Sequence, residues 1–104
     1  MSPLVLARFL PKPGEDARVE AILRGMVAST RQEPGCRRYD FYRATAAAGG
    51  TVFCLIEQYA GEEAIQAHRE TPHYKHYRAS IADLLAQPID VARLEALDVR
   101  GESS

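Results

Sequence analysis

The apolar positions change their period along the chain, and each change marks a new element. Leu4-Val5-Leu6-Ala7-Arg8-Phe9-Leu10 is a short apolar run closed by Pro11, which predicts a strand. Lys12-Pro13-Gly14 turns the chain, and Glu15 and Asp16 open a helix whose dipole they complement. Val19, Ile22, Leu23, Met26, Val27 and Thr30 recur on one face of it until Glu33-Pro34-Gly35 ends it. From Cys36 to Ala44 the period becomes two, with Tyr39, Phe41 and Arg43 on one side and Arg38, Asp40 and Tyr42 on the other. Ala46 to Gly50 forms the loop of a hairpin, and Thr51 to Tyr59 is its second, more apolar strand. A turn in that loop sets Tyr39 roughly opposite Glu57, Tyr42 opposite Cys54 and Cys36 near Ala60.

Glu62 to His68 predicts a short helix, and Thr71-Pro72 caps a longer one running to about Ala86. Tyr74, Tyr77, Ile81, Leu84 and Leu85 line its inner face, and Pro88 breaks it. Ile89 to Val99 then supplies a last strand, with Val91 and Leu94 or Leu97 as packing residues. The order strand, helix, strand, strand, helix, strand predicts an α+β, ferredoxin-like βαββαβ domain, with its helices on one face of an antiparallel sheet. That domain spans residues 1–99, and residues 100–104 read as a solvated tail. The central hairpin is apolar on both faces, with Phe53 and Leu55 on one and Val52, Cys54 and Ile56 on the other. A chain of 104 residues has little left to cover the second face. A second copy would cover it, so a two-fold homodimer is expected.

Composition narrows the partners. A formal net charge of −1 and a pI near 6.3 leave no broad footprint for phosphate backbones, so nucleic acid is not expected. No stretch approaches the roughly 20 apolar residues of a membrane span. The first residues lack a basic region ahead of an apolar core, so no signal peptide is expected and the default compartment is the cytoplasm. Cys36 and Cys54 are misaligned on the hairpin and belong to no CxxC pair; they read as reduced strand residues.

The chemistry concentrates between Glu57 and Tyr77. All three histidines, His68, His73 and His76, fall there with Tyr59, Tyr74 and Tyr77. Glu57 is an acid in an apolar strand, on the face of Phe53 and Leu55. Burial of a carboxylate costs several kcal/mol unless it is paired or protonated, so a partner is required. Tyr39 is the expected donor, with Arg31, Arg37, Arg38 or a histidine of the covering helix as other candidates; the ordinary alternative is a strand-end acid reaching solvent. His68 can face the apolar side of its helix, and its ordinary reading is a satisfied, half-buried helix-end imidazole. The histidine spacings straddle Pro72, and no carboxylate or cysteine completes a metal set with them. A pocket of Tyr, Phe and Leu holding one acid and an imidazole suits a flat, mostly apolar, hydroxylated ligand. A phenol ionises near pH 10, so a tuned base there could make an electron-rich phenolate.

Glu33-Pro34-Gly35-Cys36, Tyr39, Ile56-Glu57-Gln58-Tyr59, Ala64 through His68 and Thr71-Pro72-His73-Tyr74 together resemble the antibiotic biosynthesis monooxygenase domain, within it the small bacterial quinol monooxygenases. The resemblance covers about residues 3 to 98. It implies a ferredoxin-like fold whose sheets pack face to face as a dimeric α+β barrel. It also implies activity with O2 and no flavin, haem or metal, so that no cofactor is expected and an electron-rich quinol or polyphenol itself reduces dioxygen. The strand-end acid and helix histidine of the family fall on Glu57 and His68, which are the expected catalytic, proton-handling residues. Tyr39, Tyr59, His73, Tyr74 and Tyr77 are the expected substrate-binding residues. Tyr59 stands where many relatives carry Trp. Arg78 stands near the place of the iron-binding histidine of haem-degrading members, and Arg8 replaces an Asn of their first strand; haem breakdown is therefore disfavoured. Two alternatives remain on the same fold: an isomerase of a small phosphorylated metabolite, and a non-catalytic dimeric stress or ligand-binding module.

Overall fold

The computed structural model describes residues 2–101; Glu102, Ser103 and Ser104 of the expected tail lie outside the described residues. Its elements are β1 (Leu4–Phe9), α1 (Asp16–Arg31), β2 (Cys36–Thr45), β3 (Thr51–Tyr59), α2 (Glu62–Arg69), α3 (Pro72–Ile81), a 3₁₀ turn (Ala82–Leu84) and β4 (Asp90–Leu94). The strands form one antiparallel sheet in the order β2-β3-β1-β4. This is the ferredoxin-like plan, with the second helical segment divided at Thr71-Pro72.

The hairpin register is the expected one over most of its length. Tyr39 faces Glu57 and Tyr42 faces Cys54, whereas a bulge between Cys36 and Arg38 moves Cys36 opposite Tyr59. Gly49 and Gly50 close the loop with φ of 85° and 103°, a region costly for any side chain. Both cysteines are free. One face of the sheet carries Ala7, Phe9, Phe53, Leu55 and Tyr39 against Val19, Leu23 and Met26 of α1 and Tyr77 and Ile81 of α3. Val5, Tyr59 and Ile65 form a smaller cluster under α2. Gly35 makes that second cluster possible, because a Cβ there would collide with the Cβ of Ala64.

Two expected boundaries move, each for a tertiary reason. The last helix ends at Ile81 rather than near Ala86, because Leu84 O accepts from Lys12 N (2.8 Å) and Ala86 N donates to Leu10 O (2.7 Å). Pairing with the segment after β1 thus replaces helical bonds. The last strand covers Asp90–Leu94 rather than Ile89 to Val99, since its partner β1 begins at Leu4, opposite Leu94. Val91, with Leu94 or Leu97, is expected to pack, yet the three are 49%, 41% and 88% exposed. All five residues of β4 are exposed, although Arg93 reaches Glu62 of α2. The second sheet face, with Leu6, Cys54 and Ile56 half-buried and Tyr42 and Leu94 exposed, carries no helix. No helix among the described residues is long and apolar enough to cross a membrane.

Candidate active site

Alternation along β3 sends Phe53, Leu55, Glu57 and Tyr59 toward the helices. The first two reach the α1 core, whereas the last two reach beyond it, where α2 and α3 stand away from the sheet. A cavity of about 270 Å³ opens there, lined by Val5, Tyr39, Glu57, Tyr59, His68 and Tyr77 among others. Tyr74, on the face of α3 shared with Tyr77, also lines it.

Glu57 is buried, and its partner is not the tyrosine opposite it. The hydroxyl of Tyr59 donates to Glu57 Oε1 at 2.5 Å, from two residues along the same strand face. The other expected donors are engaged elsewhere: Arg31 donates to Tyr39 O, Arg37 to Ser2 Oγ, and Arg38 pairs with Asp40. Desolvation pushes the Glu57 carboxyl up to about 7, against the opposing pull of the Tyr59 hydrogen bond and the Arg69 charge. Burial likewise raises Tyr39, Tyr59 and Tyr77 above the ordinary phenol value, with the Glu57 charge adding to each. The tyrosines therefore stay protonated and act as hydrogen-bond groups and walls.

His68 is buried beside this acid, between the rings of Tyr59 (centroids 5.4 Å apart) and Tyr74 (5.0 Å). Its Nδ1 lies 2.9 Å from Glu33 Oε2, and Nε2 of His73 lies 2.6 Å from that same oxygen. Glu33 thus accepts from two imidazole N–H groups. Desolvation lowers the His68 pKa, opposed chiefly by its bond to Glu33. A neutral His68 with Nδ1–H committed to Glu33 presents Nε2 as an acceptor.

Glu33 is the residue the sequence reading missed. Its position before Pro34-Gly35 marks a helix stop, and only the fold brings it to His68 and His73, 35 and 40 residues away. The expectation that no carboxylate joins the histidines is therefore corrected: Glu33, His68 and His73 place potential ligand atoms within 4.8 Å of one another. His76, exposed on α3, takes no part. The trio could reach a divalent ion, but its separations of 2.6–3.1 Å are those of N–H···O hydrogen bonds. Of the expected substrate-binding residues, Tyr39, Tyr59, Tyr74 and Tyr77 line the cavity. His73 does not, and stands behind His68 through Glu33.

A ferredoxin-like sheet with a tyrosine-walled cavity that holds a buried acid and a buried imidazole defines the class of this small α+β protein. Residues 4–80 match the family model described as antibiotic biosynthesis monooxygenase, and the chain belongs to that family. It is similar to the "Putative monooxygenase Rv0793" of Mycobacterium tuberculosis, 42% identical over 94 residues that cover 90% of each chain. The "Putative monooxygenase YcnE" of Bacillus subtilis is 31% identical over 85 residues, 82% of this chain and 85% of that one. The solved structure of Rv0793 superposes with a TM-score of 0.85 at 40% identity, covering 96% of this chain and 99% of that chain. PA3566 of Pseudomonas aeruginosa gives 0.81 at 30% identity, covering 94% and 97%.

Proposed function

We propose that the chain is a cofactor-independent monooxygenase acting with O2 on quinol-like or polyphenolic aromatics, and that Glu57 and His68 handle its protons. The observation that carries this reading is a buried carboxyl with a pKa near 7 in an aromatic-walled cavity. A base poised near the working pH can take a phenolic proton and still return it. The phenolate is the electron donor. One atom of dioxygen enters the ring, the other leaves as water, and a quinol becomes a hydroxyquinone; the substrate supplies all four electrons. Tyr39, Tyr59, Tyr74 and Tyr77 hold the ring, and His68 Nε2 accepts from a second hydroxyl. His73 keeps the Glu33–His68 pair in place.

The working unit in this proposal is a homodimer closed over the second sheet face into an α+β barrel. The half-buried Leu6 and Ile56 and the exposed Tyr42 and Leu94 support it, since they lie on a sheet face that carries no helix and is approached near Ile56 and Leu94 by residues 99–101. Oxygen uptake with a panel of quinols tests the reaction, with Glu57→Gln and His68→Ala as controls. Equal rates in wild type and both variants would sink the residue assignment. Turnover in the absence of oxygen would instead favour isomerisation by the same acid and imidazole.

A further inference from the structure

The cavity wall holds two cations that the proposed chemistry does not use. Arg69 ends α2, one turn after Ile65 on the face that meets the cavity, and Arg78 follows Tyr77 on α3. Both are exposed and both line the cavity. Among the described residues neither forms an ion pair with a carboxylate. The nearby acid Glu62 is taken by Arg93 through both its oxygens, at 2.8 and 3.0 Å. Arg78 donates to the Tyr74 hydroxyl at 2.8 Å, with its guanidinium 5.8 Å from that ring's centroid. That contact steadies the fork while leaving most of its five N–H groups free. Glu57 is the one carboxyl among the residues that line the cavity, and its Tyr59 hydrogen bond already engages it.

We infer that the cavity takes a ring compound bearing an oxyanion, with the ring among the tyrosines and the oxyanion between Arg69 and Arg78 at the mouth. This rests on the aromatic-substrate reading above and narrows it to acidic aromatics. Size agrees: a cavity of about 150 Å³ holds benzene, so about 270 Å³ holds a fused bicycle with its substituent reaching the rim. Guanidinium forks match carboxylate and phosphate geometry. Both charges also reach the interior, Arg69 pulling Glu57 down and Arg78 pulling Tyr77 down, so the same field favours the phenolate form of a bound ring.

Equilibrium binding of three probes, 2-naphthol, 6-hydroxy-2-naphthoate and 2-naphthyl phosphate, tests the inference at low salt. The wild type should bind at least one acidic probe tenfold or more tighter than 2-naphthol, and the better of the two identifies the oxyanion. Arg69→Gln and Arg78→Gln should each remove most of that preference, read as the ratio of acidic-probe to 2-naphthol affinity, and Arg69→Lys should keep part of it. Equal affinity for all three probes, or a preference surviving in the double Gln variant, overturns the inference. So does oxygen uptake as fast with neutral quinols as with acid-bearing ones, which would leave the monooxygenase reading standing. Acid-selective binding without oxygen uptake from any quinol would do the reverse.

Discussion

A carboxyl group enclosed by tyrosines gives up its proton at a different pH from one in water, and Glu57 makes that measurable twice. Its folded pKa near 7 lies above its ordinary 4.5, so between those values the folded chain holds a proton that the unfolded chain has released. Stability therefore falls as pH rises through this window, by up to about 3 kcal/mol, and Glu57→Gln should abolish the fall in urea unfolding at pH 5 and pH 8. The same ionisation should bring kcat/KM up to a plateau above pH 7, with activity in Glu57→Gln reduced about 100-fold or more. Glu33 is tested separately. Glu33→Ala strips the acceptor from two imidazole N–H groups and should cost about 1–3 kcal/mol. Because that carboxylate is what raises the His68 pKa against desolvation, its loss should move the His68 titration, followed by NMR, to still lower pH. Glu57 was legible in the sequence because an acid in an apolar strand demands a partner. Its donor was not, since Tyr39 and Tyr59 share a face and only side-chain reach chose between them.

Element ends decide where His68 sits. Thr71 Oγ1 accepts from Tyr74 N at 3.2 Å as the N-cap of α3 and donates to His68 O at 2.7 Å, joining two helices through one hydroxyl. Thr71→Ala should cost about 1 kcal/mol in thermal or urea unfolding, with a rise in KM larger than for a surface Thr→Ala elsewhere. Gly35→Ala acts from the other side, by pressing a methyl group on Ala64. A loss of about 1–3 kcal/mol is expected. The helix and strand cores were legible because periodicity is a local property. The ends of α3 and β4 were not, because backbone bonds to residues 10 and 12 and the length of β1 set them.

For the molecule as a whole, the test is assembly. Light scattering on the purified chain should give twice the 11.5 kDa chain mass, and Ile56→Glu, which puts a charge on the second sheet face, should shift it toward the monomer. A monomeric wild type would refute the barrel. By itself the sequence determined the element order, the hairpin register, the helix face and the strand face that carries Glu57, because each follows from spacing between near neighbours. Only the tertiary structure decided that Tyr59 serves Glu57, that Glu33 joins His68 to His73, and that Arg69 and Arg78 border one cavity. Those contacts join residues by their distance in space, and spacing along a chain carries no measure of that.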